Sequence, residues 1–349
     1  MVDERSLTMN QGRRAPHRRP AKLEAWLARF ERLLGPLELR ELEGAQVCDE
    51  PILCLMGCAR SGSTLVFQYL ARAGMFTYPT NFLSRFYYAP YIGAQLQEML
   101  YGADFRGEVV PGSDADAFNS DLGKTRGPLA PHEFWYFWRR FFNFGVNQQL
   151  SASEVEAADW ELFLRELRAM QGVRALPLLL KGMILNWNIA DLASLWERLH
   201  FIFVRRDVAA NADSLVRARR RFFGDESRWY SFKPPGFEAT LELDARQQAA
   251  WQVLATNATV EQSLARLPVA RSLEVDYGEF CADPAATLRA IGERWGIETG
   301  DVAPGLPRSF EATQHQEKTV NWKALVEDVK ERFRLPESDT GQALGRSEP

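Results

Sequence analysis

Short apolar runs alternate with helical patterns along most of the chain. Helical patterns at 188–199, 208–221, 245–266 and 284–296 follow or separate runs at 52–57 (ILCLMG), 176–182 (LPLLLKG), 200–207 (HFIFVRRD) and 271–280 (RSLEVDYGEF). A continuous apolar run is typical of a strand buried on both faces, and strands that alternate with helices indicate parallel βαβ units. The pattern therefore predicts an α/β fold in which helices cover both faces of a P-loop-like parallel sheet.

The same pattern sets the limits of the folded region. Residues 1–20 are polar, rich in arginine and interrupted by Pro16 and Pro20, which predicts a flexible basic arm. Apolar residues recur at helical spacing in AKLEAWLARFERLLGPLE, so we expect a helix from residue 21 to Gly35-Pro36. A single domain is expected over residues 21–335, followed by a frayed tail over 336–349.

Composition narrows the functional classes. Of the 349 residues, 46% are apolar, which is enough for a large core, and the net charge of -4 gives no general attraction to nucleic acid or membranes. The four cysteines form no C-x-x-C pair and the four histidines are scattered, so buried thiols are expected and a metal site is not. No apolar stretch has the length of a membrane span, and no signal peptide is evident, so we expect a cytoplasmic protein. The oligomeric state stays open.

The stretch GCARSGST, residues 57–64, carries the clearest chemical signal. Its spacing is that of a P-loop, G-x-x-x-x-G-K-[ST], but Ser63 occupies the position of the lysine. A strand, a glycine turn and a helix N-terminus form an anion site, and Arg60 could hold an oxyanion there without a metal. Because an ATP-using loop needs its lysine, phosphoryl transfer is disfavoured, and a P-loop-type nucleotide or small-molecule kinase remains the alternative.

GCARSGSTL also resembles the 5′-phosphosulfate loop of sulfotransferases that use 3′-phosphoadenosine 5′-phosphosulfate (PAPS), with Ala59 in place of the usual proline. The resemblance implies that this loop holds the donor through Arg60, Ser61, Gly62, Ser63 and Thr64.

FIFVRRDVAANADSLVRAR, residues 201–219, resembles the second signature of that family. There a strand ends in an arginine and a serine follows eight residues later, and both bind the 3′-phosphate. The resemblance assigns these roles to Arg206 and Ser214, although Val208 replaces a customary proline. An arginine fork at the carboxyl end of a strand suits a phosphate in an open α/β sheet.

Three further segments follow in the family's order, so the resemblance spans roughly residues 50–325. LPLLLKG resembles the segment that delivers a catalytic lysine in tyrosylprotein and related sulfotransferases, which indicates Lys181. LEVDYGEFCADPAATLRAIGERWGI (273–297) resembles a Tyr-x-x-[FL] segment and implies that Tyr277 contacts the donor. EKTVNWKALV (317–326) resembles a stretch that closes over the donor, which indicates Lys318.

This resemblance implies the sulfotransferase fold and a metal-independent enzyme, a distant bacterial relative of the tyrosylprotein sulfotransferases. It would move a sulfuryl group from PAPS to a hydroxyl or amine and release adenosine 3′,5′-bisphosphate. A non-catalytic nucleotide-binding relative is a second alternative, against which Lys181 counts.

The stretch PHEFWYFWRRFF, residues 131–142, supplies the candidates for a general base. Pro131 is expected to begin a helix, with His132 and Glu133 at the mouth of its aromatic face. Either residue could be the base; His132 is preferred because a helix N-terminus would keep it neutral, and His315 is the next candidate.

The aromatic face, formed by Phe134, Phe137, Trp138 and Phe141, is either the wall of an acceptor pocket or part of the core. It favours a small hydrophobic or aryl acceptor, free or tethered to a carrier protein. The irregular stretch 222–242 resembles a lid, and its Trp229 and Lys233 are expected near the acceptor or the adenine.

Overall fold

A four-stranded parallel sheet forms the centre of the computed structural model, which describes residues 12–104, 118, 120–121, 123–145, 147–299, 305–313, 317 and 319–335. The strands, in chain order, are β1 (Ile52–Met56), β2 (Ser120–Asp121), β3 (Lys124–Thr125), β4 (Leu178–Lys181), β5 (Leu199–Arg205) and β6 (Ser272–Asp276). The sheet has the order β4-β1-β5-β6 with parallel neighbours throughout, while β2 and β3 form a separate antiparallel pair. The predicted α/β fold is confirmed.

The α-helices, in chain order, are α1 (Ala21–Glu41), α2 (Ser63–Arg72), α3 (Pro90–Gln97), α4 (Trp135–Phe141), α5 (Ala152–Ala157), α6 (Trp160–Gly172), α7 (Ile189–Leu195), α8 (Val208–Phe223), α9 (Ala245–Leu264), α10 (Tyr277–Ala282), α11 (Pro284–Trp295) and α12 (Trp322–Phe333).

Alternate residues of each central strand face two separate cores. In β1, Cys54 and Met56 belong to the core beneath α8, α9 and α12, whereas Leu53 and Leu55 belong to the core beneath α2 and α11. All five β1 residues are at most 1% exposed. Since both faces of β1 are covered, this strand has no polar alternation and its sequence is a continuous apolar run, whereas the edge strand β6 alternates buried and exposed residues.

Helix α1 continues past its predicted end. It passes through Pro36 and ends at Glu41, so the expected stop at Gly35-Pro36 is wrong. The fully buried carboxylate of Glu38 accepts hydrogen bonds from the backbone N–H groups of Tyr91 (2.7 Å) and Ile92 (3.0 Å). This anchor, in the turn after the proline, offsets the helical hydrogen bond that Pro36 cannot make.

The aromatic helix begins later than predicted. Helix α4 starts at Trp135 rather than at Pro131, and Phe134 precedes it with a left-handed φ of 56°. Phe137 and Trp138 are 0% and 1% exposed and pack against Phe163 of α6. Most of the predicted aromatic face is therefore core.

The described part of the N-terminal arm contacts the domain. The Arg14 N–H donates to the carbonyl of Phe222 (3.1 Å), and the ring of His17 stacks on the Phe222 ring at 4.8 Å. Arg19 pairs with Glu24 at 2.8 Å. Residues 1–11 and the predicted tail lie outside the described residues, so the domain boundaries stay predictions.

Two smaller observations complete the fold. All four cysteines are buried and free, as the sequence predicts. No helix in the described part of the chain is both long and apolar enough to cross a bilayer.

Candidate active site

Four segments carrying predicted site residues meet at the carboxyl edge of the sheet. The loop 57–62 follows β1, Lys181 ends β4, Arg206 follows β5 and Tyr277 follows β6. Ligands of open α/β sheets bind at this edge, because loops from parallel strands converge there.

Glycine and asparagine residues fix the shape of the loop. Gly57 has a φ of 130°, and a Cβ on it would lie 2.6 Å from the Val204 carbonyl oxygen, so a larger residue would not fit. The buried Asn186 accepts a hydrogen bond from the Gly57 N–H (3.1 Å) and donates one to the Gly57 carbonyl (2.8 Å). Asn211 donates to the Ala59 carbonyl at 2.8 Å. Sequence reasoning missed both asparagines, because an isolated asparagine carries no motif.

Arg60, Ser214, Arg206 and Tyr277 form one cluster beside the loop. The Arg60 Nε donates to the Ser214 hydroxyl (3.3 Å), and an Arg206 guanidinium nitrogen donates to the Arg60 carbonyl (3.2 Å). The Arg206 guanidinium lies 4.9 Å from the centre of the Tyr277 ring and also donates to the Thr313 carbonyl. Residues from three distant sequence segments thus lie together; their roles toward a donor stay predictions.

The loop fits a bound anion on two observations. The Ser61 hydroxyl is buried and has no hydrogen-bond partner among the described residues. The Gly62 cap at the N-terminus of α2 supplies no side-chain acceptor for the free N–H groups of the first turn. An oxyanion would satisfy these donors and interact favourably with the helix dipole. Arg60 itself has a left-handed φ of 67°, a strained conformation of the kind found at ligand sites.

Lys181 connects the loop to the opposite side of the site. Its Nζ donates to the Thr64 hydroxyl (2.9 Å) and to Oε1 of Glu133 (2.5 Å). The Lys181 side chain is only 5% exposed, and that of Glu133 is 30% exposed. Burial alone would raise the pKa of Glu133, but Lys181, helped by Trp135 and His132, outweighs it and holds this pKa below its usual range.

His132 is held by the backbone. The backbone N–H of Phe134 donates to Nδ1 of His132 (2.9 Å), and the backbone N–H of His132 donates to the Pro79 carbonyl (2.8 Å). Burial lowers the pKa of His132 to about 4, against the opposing effect of Glu133. Since Nδ1 is an acceptor, the neutral ring carries its proton on Nε2.

A cavity opens beside Glu133 and Lys181. It is lined by Trp135, Trp138, Met183, Ile184 and Phe232 together with those two residues. Trp229 and Lys233 do not line it: Trp229 packs against Phe237 and Trp251, and the Lys233 Nζ lies over Phe237. Phe232 reaches the cavity from the predicted lid instead.

The hairpin β2–β3 covers the junction between loop and cavity. A Cβ on Gly123, whose φ is 83°, would lie 3.2 Å from the Thr64 hydroxyl and 4.0 Å from Oε1 of Glu133. No sequence pattern predicts this approach, since each strand of the hairpin has only two residues.

Two predicted site residues fall in parts of the chain that the structure does not describe. Lys318 and His315 lie outside the described residues. Within the described part of the chain, no three histidine, cysteine or carboxylate side chains group as metal ligands would.

Together the fold and the loop define an α/β protein with a glycine turn, an unpartnered serine hydroxyl and an uncapped helix N-terminus at the carboxyl edge of its sheet. The Sulfotransferase family model matches residues 51–301, more than half of the chain, and the protein belongs to this family.

The fold is similar to two solved sulfotransferases. STF1 from Mycobacterium tuberculosis superimposes with a TM-score of 0.52, at 15% identity over 94% of this chain and 88% of that one. STF9 from Mycobacterium avium gives a TM-score of 0.53, at 15% identity over 95% and 89%. At this identity the likeness shows the fold alone. No curated protein sequence matches this chain significantly.

Proposed function

We propose that this sulfotransferase takes its sulfuryl group from PAPS and transfers it to a hydroxyl or amine of a small hydrophobic or aryl acceptor. One observation carries the proposal. The buried Lys181 bonds both Thr64 of the oxyanion loop and Glu133 at the acceptor cavity, so the donor and acceptor sides meet at one ammonium group.

On the donor side, the loop would hold the 5′ end and the arginine cluster the 3′-phosphate. The orphaned Ser61 hydroxyl and the open N-terminus of α2 fit an oxyanion, and Arg206 with Ser214 adds the charge that distinguishes a 3′-phosphorylated nucleotide. When bound, PAPS supplies the transferable sulfuryl group. Arg60 and Lys181 would stabilise negative charge on the moving group and the departing phosphate without a metal.

On the acceptor side, Glu133 is our candidate for the general base. It borders the cavity, and its pKa is held low, so it is ionised at neutral pH and can accept a proton. His132 is less suited, because its Nδ1 lone pair already accepts the Phe134 N–H.

The cavity indicates the kind of acceptor. Two indole rings and the Phe232 ring line it beside Met183 and Ile184, which favours an apolar group next to the reacting hydroxyl, and the cavity of about 10 Å³ must widen to admit an aryl ring. Such a group can be free or carried on a partner protein. A cytoplasmic location would supply PAPS and a reducing environment for the four free thiols.

The test is transfer of labelled sulfate from PAPS to a panel of phenols, benzylic alcohols and alkyl alcohols, with and without EDTA. We expect a labelled sulfate ester from an aryl acceptor, at the same rate in EDTA. Product that requires ATP and Mg²⁺ as donor would refute the proposal and restore the kinase alternative.

Two matched variants assign the base. Glu133→Gln should lower kcat about 10²–10⁴-fold and leave the affinity for adenosine 3′,5′-bisphosphate unchanged. His132→Asn keeps an acceptor for the Phe134 N–H but removes the imidazole, and we expect near-normal turnover. The reverse result would make His132 the base.

A further inference from the structure

Both carboxylate oxygens of Glu133 are engaged, each by a different donor. Lys181 donates to Oε1 at 2.5 Å, and the indole N–H of Trp135 donates to Oε2. Two donors on opposite oxygens fix the plane of a carboxylate, because a rotation out of that plane lengthens or bends both hydrogen bonds. Under the proposed function Lys181 must also stabilise the sulfuryl group, so the Trp135 indole is the donor that serves Glu133 alone.

The same indole is pressed from its other side. Its ring stacks on Phe232 with a centroid distance of 5.4 Å and an interplanar angle of 24°. Phe232 is 6% exposed, and its carbonyl accepts hydrogen bonds from Gln252 (2.8 Å) and from the Trp229 indole (2.9 Å). Phe232 therefore ties the irregular stretch after α8 to helix α9 and, through the stacked rings, to Trp135.

We propose that Trp135 is a positioning residue for Glu133. In this proposal Phe232, which belongs to the irregular stretch after α8, holds the Trp135 ring in place when that stretch packs against the domain. The inference rests on the proposed role of Glu133 as base. It adds to that role, because the pKa and the orientation of the Glu133 carboxylate would both depend on a contact with the stretch after α8.

The physical consequence is a shift in the titration of Glu133. An N–H that bonds the ionised carboxylate stabilises it relative to the protonated form. Removing the N–H should raise the pKa of Glu133, so the acid limb of the pH–rate profile moves to higher pH. A change in packing alone would lower the rate at every pH and leave the limb in place.

The experiment compares Trp135→Phe with Trp138→Phe. Trp138 lines the same cavity, but its indole N–H donates to the backbone carbonyl of Glu133 (2.9 Å), not to the carboxylate. In Trp135→Phe we expect the acid limb of kcat/KM for the acceptor to rise by about one pH unit, so that the loss of kcat/KM relative to the parent grows as the pH falls toward 4.5 and below. In Trp138→Phe the rate falls, but the limb stays within about 0.2 pH units of the parent.

Affinity for adenosine 3′,5′-bisphosphate and the thermal midpoint, measured for both variants, show that each is folded. Phe232→Ala keeps the indole N–H but removes its support, and we expect the limb to move in the same direction by a smaller amount.

Overlapping profiles for Trp135→Phe and the parent would overturn the proposal, as would an equal shift in Trp138→Phe. If Glu133→Gln still loses turnover in that case, the proposed base stands and only the positioning role fails. If Glu133→Gln keeps full turnover, the proposed base itself fails.

Discussion

Asn186 offers a direct test of how the oxyanion loop is held. Its side chain pairs with both polar groups of the Gly57 peptide backbone, at 3.1 Å and 2.8 Å, and the residue is fully buried. Substitution by alanine removes both hydrogen bonds and leaves the Gly57 N–H and carbonyl without their partner.

The expected cost follows from this geometry. Removing one partner of a buried hydrogen bond costs about 1–3 kcal/mol because the other partner is left unsatisfied, and Asn186→Ala orphans two backbone groups, so it should lower the free energy of unfolding by roughly 2–6 kcal/mol. The freed loop should also bind adenosine 3′,5′-bisphosphate at least about tenfold more weakly, since the loop must be reordered on binding; this equals about 1.4 kcal/mol.

The matched control is Asn188→Ala. Asn188 is 4% exposed and holds the peptide groups of Leu150 in the same way, accepting the Leu150 N–H at 3.0 Å and donating to its carbonyl at 3.5 Å. Leu150 does not belong to the loop. Urea unfolding should show a loss of stability in both variants, whereas calorimetric titration should show weaker nucleotide binding only in Asn186→Ala.

Equal affinities for the nucleotide in the two variants would refute the reasoning, because the asparagine would then support the fold and not the shape of the loop. Unaltered stability in Asn186→Ala would contradict the calculated cost as well.

Three further outcomes are expected. Arg206→Ala should weaken the binding of adenosine 3′,5′-bisphosphate at least ~10-fold but hardly affect the binding of adenosine 5′-phosphosulfate. The control is Arg205→Ala, because the neighbouring Arg205 pairs with Glu274 (2.9 Å). Equal losses of affinity for both nucleotides in Arg206→Ala would show that Arg206 does not bind the 3′-phosphate. Lys181→Met should lower kcat. It should also move the acid limb of the pH–rate profile to higher pH, because it removes the main contact that lowers the pKa of Glu133. An acid limb at the same pH as in the parent would contradict this coupling. Burial raises the pKa of Glu38 from 4.5 to about 7, so its contribution to the free energy of unfolding is full below pH 4.5 and is lost as the pH rises through about 7. In urea unfolding measured from pH 5 to 7.5, Glu38→Gln should therefore show a smaller decline in stability than the parent. An equally steep decline in both proteins would refute this role of Glu38.

The sheet could be predicted from the sequence because its physics is local. The strands β1, β4 and β5 are almost wholly buried and apolar, whereas the edge strand β6 alternates apolar and polar residues, and all four predicted runs contain a strand. The turn between β1 and α2 could also be predicted, since Gly57 and Gly62 have positive φ angles that other residues rarely adopt.

What the sequence concealed depends on long-range contacts. Pro36 is a local signal for a helix end, but the buried anchor at Glu38 lies 53 residues from its partner Tyr91. The aromatic run before Phe142 has the same periodicity whether it faces a cavity or the core, and only the packing of Phe137 against Phe163 distinguishes the two. Asn186 and Trp135 act through contacts with residues far away in the sequence or outside any motif, so no spacing reveals them.

The loop that seemed to lack its lysine acquires one from a different strand. Ser63, at the position of the P-loop lysine, donates its hydroxyl to the Met183 sulfur (3.3 Å), while Lys181 reaches the adjacent Thr64 from the end of β4. A P-loop lysine moves with its own loop, but Lys181 is fixed to the sheet and contacts the acceptor side through Glu133. Under the proposed function, this ammonium group would neutralise charge on the sulfuryl group as it moves from the donor side to the acceptor side. The lysine that the motif lacks thus has a counterpart at the end of β4, beside Thr64.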